Sequence, residues 1–391
     1  MTTRYPSSCF QAVSCLPRTQ HASSKLTTIV LRHQPAYSRP YTFTKSSART
    51  KATKPTPPPP QITLSPSRRQ TATQSAALNP PTSTLPPPLD LPSRGDLSTL
   101  IYLYRLGRAY GGFYKDGLKA VWNNHKAASA LKKRVAAELN ARKPDLASPV
   151  SASNRWRNFR DEAARKGVVT RAEFQQLERN ARDIGKLPLF GLLVLLLGEW
   201  LPLLVPFIPN RVPGTCRIPK QVNGMREKSE ERRRWSFRSG VEEPQAGQVA
   251  VEGGKWRMTE AENVKEVLKN MTPVQLMHLS CVLNQHSRVW DRVQLAPPAG
   301  LLRRSVGARV QYLALDDLLL VQSGGPTGLS SNELVIACEE RGIDVLGKPE
   351  EKLRAELAGW IKKQRDDEGR GWAVIEMLFR RPNAWIGSNQ G

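Results

Sequence analysis

Leu100, Leu103, Tyr104, Tyr110, Tyr114, Leu118, Val121 and Trp122 recur at mostly helical spacing in LSTLIYLYRLGRAYGGFYKDGLKAVW. The first regular element is therefore a helix starting near Leu97, with Gly111-Gly112 as the place for a kink. Residues 141–153 break the pattern. Thr170 and Glu173 then form a T-x-x-E capping box, which starts a helix at Arg171. Residues 217–255 are charged and broken, and predict a mobile insertion. Thr272-Pro273-x-Gln275 is a second capping signature, and further helices are predicted near 300–312 and 314–321. No period-two alternation competes anywhere, so the fold class is mainly α.

The last unit, residues 329–364, reads as two short helices. Ser330 and Glu333 form a capping box, Leu329 and Leu334 a hydrophobic staple, and Gly342 a left-handed terminator. Pro349 opens the second helix, whose Leu353, Leu357, Trp360 and Ile361 share one face. With Leu334, Ala337 and Cys338 they predict a core. The same spacing is similar to the SAP motif, a DNA-binding helix–loop–helix.

Between Lys186 and Arg211 the 24 residues LPLFGLLVLLLGEWLPLLVPFIPN carry one charge, Glu199. That length suffices for a membrane-spanning helix, which takes about 20 apolar residues. Pro202, Pro206 and Pro209 should kink or end it on the C-terminal side. A lone carboxylate at mid-membrane costs about 2–3 kcal/mol or more, so Glu199 should face a partner helix or a polar cavity. It is either an ion- or proton-handling group or a neutral packing residue in a homo-oligomer formed through the span. The flanking basic residues differ too little on the two sides to set orientation.

Charge changes the reading of the N-terminus. The chain has 391 residues and a net charge of +25, and its first acid is Asp90. The opening 1–44 is rich in Arg, Ser and Thr, the composition of an organelle transit peptide, with the mitochondrion as destination. Residues 45–96 form a Pro/Ser/Thr-rich linker that cannot bury enough apolar surface to fold. The five cysteines are widely spaced without a CxxC pair, which fits reduced thiols. His278 and His286 flank Cys281 at neither a zinc nor a catalytic spacing. No phosphate loop or paired catalytic carboxylate motif is present. The expectation is a non-enzyme without cofactor or metal.

The stretch TRAEFQQLERNARDIGKLPLFGLLVLLLGEWLPLLVPFIPNRVPGT resembles the LETM family of mitochondrial inner-membrane proteins. Pro188, Phe190, Glu199, Leu201, Pro202, Phe207, Pro209, Asn210 and Pro213 carry the likeness. Upstream, YGGFYKDGLKAVW looks like that family's Tyr-rich helix. Downstream, Leu329, Glu333, Leu334, Ala337, Cys338, Arg341, Gly342, Gly347, Leu353, Leu357 and Trp360 look like the end of its ribosome-binding domain. The likeness covers about residues 97–364, apart from the insertion at 217–255, and includes neither an EF-hand loop nor a later heptad run.

The resemblance implies a helical pre-membrane region at 97–186, a transmembrane helix at 187–210 and a charged insertion at 211–255. A Letm-type ribosome-binding domain follows at 256–364, with a tail at 365–391. It implies a single-pass inner-membrane protein with its C-terminal domain in the matrix. Its partners would be the mitochondrial ribosome and inner-membrane lipid, and its role inner-membrane biogenesis or ion homeostasis. Arg303, Arg304 and Arg309 are the candidate contacts to ribosomal RNA. Two other readings stand beside it: an oligomeric cation/proton exchanger using Glu199, and a SAP-like nucleic-acid-binding protein.

Overall fold

Leu302, Val306, Val310, Leu313, Leu315, Leu319 and Leu320 put apolar groups all round one long helix, Ala299–Gln322, and a helix of that kind must be central. The computed structural model describes residues 75–95, 98–142, 152–197, 212–243, 251–252, 255–256, 264–364 and 371–382. Among them the fold is mainly helical. In chain order the helices are α1 (Thr99–Arg142), α2 (Ala152–Arg165), α3 (Arg171–Ile184), α4 (Leu187–Leu197), α5 (Pro219–Arg238) and α6 (Val264–Asn270). They continue with α7 (Pro273–Val282), α8 (Arg288–Arg292), α9 (Ala299–Gln322), α10 (Ser331–Glu340), α11 (Glu350–Gln364) and α12 (Trp372–Leu378). Two two-residue strands, Val251–Glu252 and Lys255–Trp256, pair antiparallel.

Around α9 pack α2, α3, α6, α7, α11 and α12. The capping boxes read from sequence are formed at α3 and α7: Thr170 Oγ accepts from the Glu173 N–H, and Glu173 accepts from the Thr170 N–H in return. At α10 only half of the box forms. Ser330 caps Glu333, but the Glu333 carboxylate turns instead to Arg179, at 2.8 and 2.7 Å. A charged partner on α3 outcompetes a backbone amide for that carboxylate. Gly342 terminates the turn after α10 at φ 77°, where a Cβ would come within 2.9 Å of Val282 Cγ1. Leu334, Ala337, Cys338, Leu353, Leu357, Trp360 and Ile361 are all buried, as their spacing predicted.

The structure departs from the sequence reading in four places. The helices expected at 300–312 and 314–321 are one helix, α9, because nothing at 313 breaks it. The insertion expected to be mobile contains the 20-residue α5, which packs on α7 and buries Glu230, Arg232 and Arg233. These charges enter because each finds a partner: Arg232 reaches Asn284 and Asp291, and Arg233 donates to the carbonyls of Val282 and Glu339. The end of the linker docks on the core. Leu78 is 2% exposed, its carbonyl accepts from Arg171, and Asn79 bonds Gly328 and Ser330. The tail contributes α12, whose Val374, Ile375 and Leu378 are buried.

The membrane-spanning helix expected at 187–210 is described only as far as Leu197. Among the described residues no helix is long and apolar enough to cross a bilayer. The described start of the apolar run is the 11-residue α4. Its Phe190 packs with Phe113, Tyr114, Val212 and Cys216 in a second, smaller core on α1. The remainder of the run, with Glu199, lies outside the described residues, as do the 1–44 segment and most of the linker.

Candidate anion-binding site

Buried charge is concentrated where α3, α9 and α10 meet. Arg341 is 0% exposed and reaches Asp316 and Asp317, both at 2.6 Å. Asp316 also receives Arg171 at 2.9 Å and Gln175 at 2.7 Å, and the Trp360 indole donates to Asp317 at 2.8 Å. Burial pushes the Asp317 carboxyl up to about 6 despite Arg341 beside it. Every member of this network has a partner, which makes it structural.

One helical turn away the balance of charge reverses. A cleft of about 1010 Å³ opens between α2, α3, the start of α9 and the segment holding α8. Six arginines line it: Arg157 and Arg160 from α2, Arg182 from α3, Arg217, and Arg304 and Arg309 from α9. Among the described residues Glu178 is the one carboxylate on its lining. Trp156, Trp290 and Tyr312 supply aromatic surface.

Three of the arginines form a fixed floor. Arg160 is held by Asp161 and Glu178, Arg182 by Glu178 at 3.0 Å and Glu340 at 3.2 Å, and Arg309 by Glu340 at 3.2 Å. Their guanidiniums surround the Tyr312 ring, with centroid distances of 5.7, 5.1 and 4.7 Å. Burial opposes charge on Glu340, but Arg309, Arg182 and Arg179 overcome it and hold that carboxyl well below the usual range.

The other three are different. Among the described residues no carboxylate lies within ion-pair distance of Arg157, Arg217 or Arg304. Burial pushes the Arg217 guanidinium down from its ordinary value, against the more distant charges of Asp183 and Glu339. Burial and the charge of Arg217 push Lys186 beside it down to about 8. Arg182 Nη2, Arg217 Nε and Arg309 Nε are buried donors that find no protein acceptor. Each such donor costs about 1–3 kcal/mol if nothing accepts from it. A cleft with surplus guanidiniums and orphaned N–H groups is suited chemically to an anion rich in oxygen acceptors.

Of the residues read from sequence as ribosome contacts, Arg304 and Arg309 come together here. Arg304 is exposed on the rim, whereas Arg309 is bound to Glu340 and stacked on Tyr312. Arg303 points elsewhere: its guanidinium donates to the carbonyls of Leu268 and Lys269 and caps the C-terminus of α6. Arg157, Arg217 and Trp290 were not singled out from sequence. The basic–aromatic run WRNFR at 156–160 was a usable signal for Arg157, and Arg217 in TCRIP had none.

His278 and His286 are both satisfied. His278 lies between Phe237 and Phe379, bonded to Ser236 and the Leu378 carbonyl. His286 bonds Ser280 and Asp291. Among the described residues no cluster of His, Cys, Asp or Glu could hold a metal.

Residues 98–323 match the pentamidine resistance factor domain, PNT1. The chain belongs to that family. All six arginines of the cleft fall within the matched residues. The chain is also similar to the LETM1 domain-containing protein mdm28, mitochondrial, of Schizosaccharomyces pombe (strain 972 / ATCC 24843), with 26% identity over 220 residues. That match covers 49% of this chain and 45% of the relative, so the chain spans about half the length of the curated relative it matches. The LETM likeness seen in the sequence agrees with this relationship. No solved structure matches.

Proposed function

We propose that this chain is a mitochondrial inner-membrane protein whose helical domain binds the mitochondrial ribosome from the matrix and performs no catalysis of its own. The relative's mitochondrial name and the LETM resemblance support the compartment, and the apolar run at 187–210 supports the membrane. The observation that carries the ribosome is the cleft: six arginines around one carboxylate, three of them without an ion pair among the described residues. Ribosomal RNA presents a dense array of phosphates, and a basic partner gains affinity by releasing their counterions.

The test is sedimentation of the full chain, solubilised in mild detergent, with purified mitochondrial ribosomes. Association should be present at low salt and fall steeply as salt rises. The triple variant Arg157→Gln, Arg217→Gln, Arg304→Gln should lose most of it while keeping the parent's helical content. Sedimentation indifferent to salt and to these changes would place the interface elsewhere, and none at any salt would refute ribosome binding.

A further inference from the structure

We infer that the arginine cleft takes a single-stranded segment of RNA, with its phosphates on Arg157, Arg217 and Arg304 and a base stacked on Trp290. This deepens the ribosome reading and rests on it. The cleft's cations are all arginine, and the planar guanidinium matches two phosphate oxygens at once, which a lysine ammonium does not. The floor arginines are committed to Glu178 and Glu340, which leaves Arg157, Arg217 and Arg304 to meet a ligand. Three separated guanidiniums suit a chain of phosphates better than one isolated group.

Trp290 decides the kind of polyanion. It is half-buried on the cleft wall, and among the described residues no other ring packs on it. Its helix, α8, is short but held in place: Asp291 next to it receives Arg232 and lies 2.9 Å from His286 Nε2. Asn284 at φ 54° and Gln294 at φ 55° bracket the segment, and they are the non-glycine left-handed residues among those described. Such positions are kept where the surrounding structure requires a particular loop shape. An indole fixed among arginines offers a stacking platform for a planar base, the combination that single-strand binders use. A duplex offers no free base face, because its bases are stacked and paired.

The experiment uses the full chain in mild detergent and a fluorescein-labelled single-stranded oligouridylate. Competitors are heparin, duplex RNA, and phosphatidylcholine vesicles with or without cardiolipin. The single strand should bind well ahead of the duplex. Arg217→Gln with Arg304→Gln should weaken both oligouridylate and heparin by about tenfold or more and flatten the salt dependence. Trp290→Ala should weaken the oligonucleotide by about tenfold, leave heparin unchanged, and be rescued by Trp290→Phe. Circular dichroism confirms that each variant keeps its helices. Equal effects of Trp290→Ala on heparin and RNA would overturn the stacking assignment. So would equal affinity for duplex and single strand, or binding confined to cardiolipin vesicles. Salt-sensitive ribosome sedimentation without any oligonucleotide binding would overturn this inference and leave the proposed function standing, whereas loss of both would remove both.

Discussion

Arg341→Met tests whether the buried charge network under the cleft holds the fold. The guanidinium is 0% exposed and makes contacts at 2.6 Å with Asp316 and at 2.6 and 2.8 Å with Asp317, besides donating to the Ala337 carbonyl at 2.9 Å. Methionine fills much of the volume but leaves two carboxylates behind. Asp316 keeps Arg171 and Gln175, whereas Asp317 keeps the Trp360 indole as its described side-chain partner. Removing one side of such a buried pair costs about 3–5 kcal/mol.

The loss should depend on pH in a definite direction. Burial already raises Asp317 to about 6 in the folded protein, above the ~3.9 of an unfolded aspartate. Between those values the folded state binds more protons, so this group makes stability fall as pH rises through that window. Without Arg341 the folded value rises further, and the deficit grows toward neutral pH by about 1.4 kcal/mol per additional unit. Urea unfolding of the full chain, followed by far-ultraviolet circular dichroism at about pH 5 and pH 7.5, should show the larger deficit at the higher pH. Asp317→Asn added to Arg341→Met should restore part of the loss at neutral pH, because it removes the stranded charge. A deficit below about 1 kcal/mol at neutral pH, or one equal at both pH values, would refute the reasoning.

Three other outcomes follow from single side chains. Arg309→Ala should destabilise the protein by about 1–3 kcal/mol, because Glu340 loses a buried partner, whereas Arg304→Ala should stay within about 0.5 kcal/mol; the same urea titration separates them. His278 is held down to about 4 by burial, so its folded state binds fewer protons than an unfolded histidine of ~6.5. Its contribution is complete above that value and is lost as pH falls toward 4; a non-titrating His278→Phe variant should therefore lose less stability than the parent between about pH 6.5 and 4.5. Gly117→Ala should loosen α1 from the turn at 214–216, since its Cβ would meet Cys216 Sγ at 2.8 Å and the Thr215 carbonyl at 3.0 Å; faster amide exchange confined to residues 212–218 would report it, and unchanged exchange would contradict it.

Local chemistry determined much of this protein before tertiary structure entered. Thr170 with Glu173, and Thr272 with Gln275, start helices because the hydroxyl and the returning side chain satisfy N–H groups three residues away. Gly342 stops α10 for an equally local reason, a backbone angle that a side chain disfavours. The apolar faces of α10 and α11 were legible because burial there follows a 3.6-residue period. Tertiary structure decided what contacts across distance control. Glu333 is local to Ser330, yet it leaves the capping box for Arg179, 154 residues away. Arg232 and Arg233 are buried because Asn284, Asp291, Val282 and Glu339 await them, and no window around EERRRW contains those partners. The cleft is the extreme case. Arg157, Arg217 and Arg304 come from three segments, and each alone reads as a solvated charge. Their meaning lies in the lack, among the described residues, of a carboxylate within ion-pair distance, which only the packing of α2, α9 and the segment before α5 establishes, because an ion pair is a matter of ångströms in space and not of spacing along the chain.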